Sequence, residues 1–118
     1  MKKILIAEDN DSNYILMTYI LKKYYQFERA KNGQEAVEMA DKGEYDIVLM
    51  DIKMPVMDGL QATRLIKEKH PDLPVVALTA NAFDSDRTAA EKAGCCGFLS
   101  KPVNRDECMT LLKKLLGE

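Results

Sequence analysis

Short apolar runs alternate with longer amphipathic stretches along this chain. Ile4-Leu5-Ile6-Ala7, Ile47-Val48-Leu49-Met50, Val75-Val76-Ala77-Leu78 and Phe98-Leu99 are continuously apolar, as strands buried on both faces of a parallel sheet must be. A further strand is predicted around Phe27 to Ala30, where polar and apolar residues alternate and Glu28 and Arg29 suit a protected edge. Between the runs, Asn32-x-x-Glu35, Asp58-x-x-Gln61 and Asn104-x-x-Glu107 have the form of helix-starting capping boxes, with Asn or Asp as the cap. Gly94 stands where a helix ending near Ala93 needs a left-handed cap. Cys108, Leu111, Leu112 and Leu115 form an apolar stripe on the last helix. The order βαβαβαβαβα predicts a doubly wound α/β fold, a five-stranded parallel sheet with helices on both faces.

Length and composition narrow the function. The 118 residues, 47% apolar and 31% charged, fit one soluble globular domain spanning 1–118. A formal charge of -2 supplies no concentrated basic face, so direct nucleic-acid binding by this segment is not expected. No apolar run approaches the roughly 20 residues of a membrane helix, and the stretch after Met1-Lys2-Lys3 is too short for a signal peptide. Cys95, Cys96 and Cys108 are odd in number and lack metal-site spacing; they read as reduced packing residues of a cytoplasmic protein. No internal repeat or linker divides the chain.

A doubly wound sheet places its site beyond the carboxyl ends of the strands. Glu8-Asp9-Asn10 follow the first strand of the chain, Asp51 the third, Thr79-Ala80 the fourth, and Ser100-Lys101-Pro102 the fifth. Three carboxylates, a hydroxyl and an ammonium are thereby expected at one edge. Close carboxylates repel unless one is protonated or a hard cation joins them, and Mg2+ suits a site with few protein ligands and several waters. Asp9 and Asp51 are the expected direct ligands, with Glu8 acting through water and the Lys53 backbone carbonyl completing the protein share. Asp51 then keeps an oxygen available as a nucleophile toward phosphorus, while Lys101 and Thr79 supply a positive charge and a hydroxyl donor for the phosphoryl oxygens.

Each residue also has a purely structural reading. Glu8-Asp9 suits a helix start, Asp58 a helix cap, Lys101 a solvated loop, Thr79 a strand end, and Phe98 plain core. What favours the functional reading is their convergence on one edge. Among rival chemistries, an aspartate-nucleophile phosphatase wants a second acid two residues after the nucleophile, where Lys53 stands. A flavin site wants a Ser/Thr/Gly-rich phosphate loop after the first strand, where Glu8 and Asp9 would repel phosphate. A dinucleotide site wants Gly-x-Gly-x-x-Gly there.

Over essentially its whole length the sequence resembles the response-regulator receiver domains of two-component signalling. Glu8-Asp9-Asn10, the stretch from Met50 through Asp51, Met54-Pro55 and Met57-Asp58-Gly59, Leu78-Thr79-Ala80, and Lys101-Pro102 carry the resemblance. It implies a flavodoxin-like (βα)5 fold and Asp51 as phosphoacceptor. It implies Glu8 and Asp9 as the acidic pair for Mg2+, and Thr79 and Lys101 as the phosphoryl contacts. Phe98 takes the aromatic switch position with Thr79, Lys53 and Asn81 are tuning positions, and the Lys101–Pro102 peptide is expected to be cis. The implied partner is a histidine kinase or histidine-phosphotransfer protein, met by a monomer or weak dimer whose fourth-helix, fifth-strand, fifth-helix face changes preference on phosphorylation. Such a domain is not a conventional enzyme. A degenerate receiver that docks without phosphorylation is the alternative. Asn10 and Asn13 point toward receivers of hybrid histidine kinases, and a domain excised from a larger protein is the expectation. Tyr14, Tyr19, Tyr24 and Tyr25 are assigned to an aromatic first helix, as core and half-exposed rings.

Overall fold

In the computed structural model, which describes residues 1–80 and 84–118, strands and helices alternate from end to end. They are β1 (Lys3–Ala7), α1 (Asp11–Leu21), β2 (Gln26–Ala30), α2 (Gly33–Lys42), β3 (Ile47–Asp51), α3 (Gly59–Lys69), β4 (Val75–Thr79), α4 (Asp84–Ala93), β5 (Gly97–Ser100) and α5 (Arg105–Leu116). The strands form one sheet in the order β2-β1-β3-β4-β5, with parallel pairing throughout. This is the doubly wound α/β fold predicted from the sequence. After β2 the chain crosses to the other side of β1, so a crevice opens at the carboxyl ends of β1 and β3.

Strand periodicity sorts the apolar runs into two cores. Ile4, Ile6, Ile47, Leu49, Val76, Leu78 and Leu99 face α1 and α5, where they meet Met17, Leu21, Cys108 and Leu112. Their neighbours Leu5, Val48, Met50, Val75 and Ala77 face the opposite layer, built on Ala36, Ala40, Ala62, Ile66 and Ala90. Burying each large aliphatic side chain contributes about 1.5–3 kcal/mol. Alanine on the second layer brings those helices close to the sheet.

The helix starts are capped as the sequence predicts: the side chains of Asn32, Asp58 and Asn104 accept from the amides of Glu35, Gln61 and Glu107 at 2.8, 2.8 and 3.0 Å. Asn10 does the same for Asn13 at 3.0 Å, a cap the capping-box pattern does not reveal because Asn13 occupies the acid's position. Gly94 has φ 114°, the positive φ expected there.

Three expectations need adjusting. α1 ends at Leu21, so Tyr24 and Tyr25 lie beyond it. Tyr25 is buried and donates its hydroxyl to Glu118 at 3.0 Å, whereas Tyr19 and Tyr24 are exposed. β5 runs from Gly97 rather than Phe98, since Gly97 already pairs with Val76 of β4, and a Cβ there would lie 3.1 Å from Leu111 Cδ2. Cys95 and Cys108 are buried thiols, but Cys96 is exposed, since adjacent residues at a strand entry point to opposite sides.

Candidate functional site

The acidic pair begins one residue past β1. The Glu8 amide still pairs with β2, donating to the Ala30 carbonyl at 3.0 Å, and this extra rung directs the Glu8 side chain into full burial. Asp9, the next residue, is exposed. Asp51 is the last residue of β3, in register with Leu78, and is 4% exposed. One carboxylate oxygen from each of Glu8, Asp9 and Asp51 lies within 4.8 Å of the others.

Lys101 enters from the far side. Its amide donates to the Thr79 carbonyl at 2.8 Å just beyond β5, and the following Lys101–Pro102 peptide is cis. The ammonium donates to Asp51 Oδ2 at 2.7 Å and to both Glu8 oxygens, at 3.1 and 3.0 Å. Burial pushes the Glu8 carboxyl up to about 7, and hydrogen bonding to Asp51 pushes the same way; Lys101 and Asn13 oppose this by bonding its charged form. Burial alone would lower the Lys101 pKa, but Asp51 and Glu8 outweigh it and raise it above the ordinary lysine value. The cluster is therefore a largely buried ammonium shared by two buried carboxylates, open on the Asp9 side to a cleft of about 260 Å³ lined by Asn13, Lys53, Thr79 and Ala80 among others.

The turn after Asp51 is held by backbone. Lys53 N–H donates to Asp51 Oδ1 at 3.1 Å, while Gly59 N–H donates to the Ile52 carbonyl at 2.7 Å. A Cβ on Gly59 would fall 2.0 Å from the Asp51 carbonyl oxygen, so only glycine permits this close return. Within the loop, Met57 N–H donates to the Pro55 carbonyl at 2.7 Å around Val56 at φ 69°, a tight turn with a β-branched residue in left-handed backbone. The sequence marks Gly59 through the Met57-Asp58-Gly59 motif and Asn13 through its pairing with Asn10, but not the backbone return of the one or the bond of the other to Glu8.

Thr79 ends β4 and is buried; its hydroxyl donates to Asp86 of α4 at a long 3.5 Å. Phe98 is half-buried against the alanine-rich layer, with the Arg87 guanidinium 5.1 Å from its ring centre. Lys53 is exposed at the cleft. Asn81 lies outside the described residues. The oxygen donors fit a hard divalent cation: carboxylates from three positions, two of them buried and one of those, Glu8, reluctant to ionise without a positive charge beside it.

Fold and site together are those of a receiver domain of two-component signalling. Residues 4–113 match the family described as response regulator receiver domain, and the chain belongs to that family. It is 39% identical over 132 residues to hybrid signal transduction histidine kinase B of Dictyostelium discoideum, covering 99% of this chain and 7% of that protein. The chain thus spans a small fraction of that relative. It is 32% identical over 120 residues to the polar-differentiation response regulator DivK of Brucella anthropi, covering 99% of this chain and 98% of DivK. Among solved structures, the receiver domain of sensor histidine kinase PA1611 from Pseudomonas aeruginosa superposes with TM-score 0.92 at 36% identity, covering 99% of this chain and 98% of that one. That structure holds a magnesium ion coordinated in its active-site cleft. Among the described residues, no helix is long and apolar enough to cross a membrane.

Proposed function

We propose that the chain, as one receiver domain over residues 1–118, accepts a phosphoryl group on Asp51 from a phosphohistidine of a histidine kinase or histidine-phosphotransfer protein. The carrying observation is the Lys101 ammonium, only 15% of its side chain exposed, held 2.7 Å from Asp51 and shared with Glu8. Glu8, Asp9, Asp51 and the Lys53 carbonyl would hold Mg2+, which when bound neutralises the carboxylates and the phosphoryl oxygens.

The remaining work falls to the chain's own groups. An Asp51 oxygen attacks phosphorus; the P–N bond to imidazole breaks as the P–O bond forms, and the electron pair returns to the ring nitrogen. Lys101 faces the phosphoryl oxygens as a point charge already desolvated by the fold, and Thr79 turns its hydroxyl toward them. Lys53 at the cleft and, by its place in the sequence, Asn81 are the positions that tune how water reaches the acyl phosphate. Withdrawal of the Thr79 hydroxyl from Asp86 loosens the start of α4, Phe98 moves inward, and the α4–β5–α5 face changes its partner preference. The domain acts in the cytoplasm as a monomer or weak dimer, with no direct contact to nucleic acid.

Intact mass after incubation with acetyl phosphate tests the reading. A phosphoryl gain that requires Mg2+ and vanishes in Asp51→Asn is expected. Absence of any gain in folded protein would replace phosphotransfer with phosphorylation-independent docking.

A further inference from the structure

Arg29 was read from the sequence as one of the charges that protect an edge strand. In the structure its side chain is only 16% exposed and turns back toward the acidic site. Its Nε–H donates to the Glu8 carbonyl at 3.0 Å. The Glu8 amide is bonded to Ala30, the next residue of β2. The Glu8 residue is thus held at both its N–H and its C=O by β2, the second time by a side chain. The guanidinium lies over the Tyr14 ring, 4.5 Å from its centre, and Tyr14 meets Phe27 edge-on at 6.4 Å. A planar cation bonded through Nε and stacked on a fixed ring has little freedom.

The partner at the other end of the guanidinium is weak. Nη2 lies 2.9 Å from Asp11 Oδ1, but that carboxylate is 81% exposed, and Nη2, itself buried, makes no well-directed hydrogen bond among the described residues. An exposed ion pair of this kind contributes little. The fixed contacts of Arg29 are the Glu8 carbonyl and Tyr14.

We propose that Arg29 is a positioning residue for the metal-binding turn: by holding the Glu8 carbonyl it sets where the Glu8 and Asp9 carboxylates project. The proposal rests on the reading of Glu8, Asp9 and Asp51 as Mg2+ ligands. Arg29 touches neither metal nor phosphoryl group and acts through the peptide between the two acids. Outer contacts of this type commonly govern metal affinity by about 10–100-fold.

Charge and geometry make opposite predictions here, which gives the test its sign. Removing a positive charge near three carboxylates would by Coulomb's law alone tighten Mg2+ binding; releasing the Glu8 carbonyl weakens it. The experiment titrates MgCl2 into the isotope-labelled 118-residue chain and follows the amide shifts of Asp9 and Asn10, in wild type, Arg29→Gln, Arg29→Lys and Asp11→Asn. We expect the apparent Kd to rise about tenfold in Arg29→Gln, and less in Arg29→Lys, which keeps the charge but not the planar Nε donor. Asp11→Asn should stay within about twofold. A role confined to stability would lower the melting temperature and leave Kd unchanged well below it. Folded Arg29→Gln binding Mg2+ as tightly as wild type, or more tightly, overturns the proposal. Should that variant not fold, Arg29→Lys with wild-type affinity overturns it equally. A wild type whose shifts ignore Mg2+ removes the metal reading itself; a responsive wild type with an indifferent variant removes only the role of Arg29.

Discussion

Lys101 and Lys3 each lie against a glutamate and a second oxygen-bearing side chain, in opposite circumstances. Lys101 sits between Glu8 and Asp51 beyond the strands' carboxyl ends, with the Glu8 side chain wholly buried. Lys3, which begins β1, pairs with Glu28 at 3.3 Å and lies 5.1 Å from the ring centre of Tyr45, whose hydroxyl also bonds Glu28. There a third of the lysine and half of the glutamate side chain are in water. Burial raises the Glu8 pKa to about 7. In the open cluster the hydrogen bonds from Tyr45 and Lys3 lower that of Glu28. The same residue types therefore tie a sheet edge together in one place and hold charge under strain in the other. Buried charges that depend on one another have perturbed ionisation, as functional sites commonly do, whereas solvated pairs keep near-ordinary behaviour.

Breaking the buried cluster should have the largest effect. Lys101→Met is expected to slow phosphorylation by acetyl phosphate about a hundredfold, measured by mass against time. At pH 8 without Mg2+ it should also destabilise the chain by about 3–5 kcal/mol in urea, because two buried carboxylates lose their partner.

The second test uses pH, for which the two glutamates have opposite signs. Glu8 binds its proton more tightly folded than unfolded, so its contribution is present below about 4.5 and lost as pH rises through about 7. Urea midpoints of metal-free protein at pH 5 and pH 8, compared with Glu8→Gln, should reveal a wild-type loss of up to roughly 3 kcal/mol toward high pH. Mg2+ should restore much of it. For Glu28 the stabilisation is present above the ordinary carboxylate value and lost as pH falls through its lowered one, so Glu28→Gln should differ from wild type at pH 7 and converge with it in acid.

Smallest of all should be Lys3→Met. It is expected to cost less than about 1 kcal/mol and to leave the phosphorylation rate within about twofold. A large rate effect there would dissolve the contrast between the clusters.

How far these regions were legible in the sequence differs in an instructive way. Glu8, Asp51, Thr79 and Lys101 could be gathered at one edge because each follows an apolar run, and parallel strands end on the same side. That inference needs only periodicity and topology. The open cluster of Lys3, Glu28 and Tyr45 went unread, since it depends on which face of β2 each side chain takes. Arg29 was invisible as anything but an edge charge for the same reason: its partner is a carbonyl, and backbone atoms leave no mark in composition. The Gly59 return likewise concerns backbone, for a Cβ there would fall 2.0 Å from the Asp51 carbonyl oxygen, and its one mark in the sequence is the glycine that closes Met57-Asp58-Gly59.

By itself the sequence determined the order of strands and helices, the edge at which the acids, hydroxyl and ammonium meet, and the caps that start three of the helices. These follow from local rules, namely hydrophobic period, capping chemistry and the common direction of parallel strands. Tertiary structure decided how deeply Glu8 is buried, that Lys101 bridges it to Asp51, and that a side chain from β2 holds the acidic turn. Burial and hydrogen-bond partnership belong to pairs of residues far apart in the chain, so they exist only once the sheet has brought those residues together.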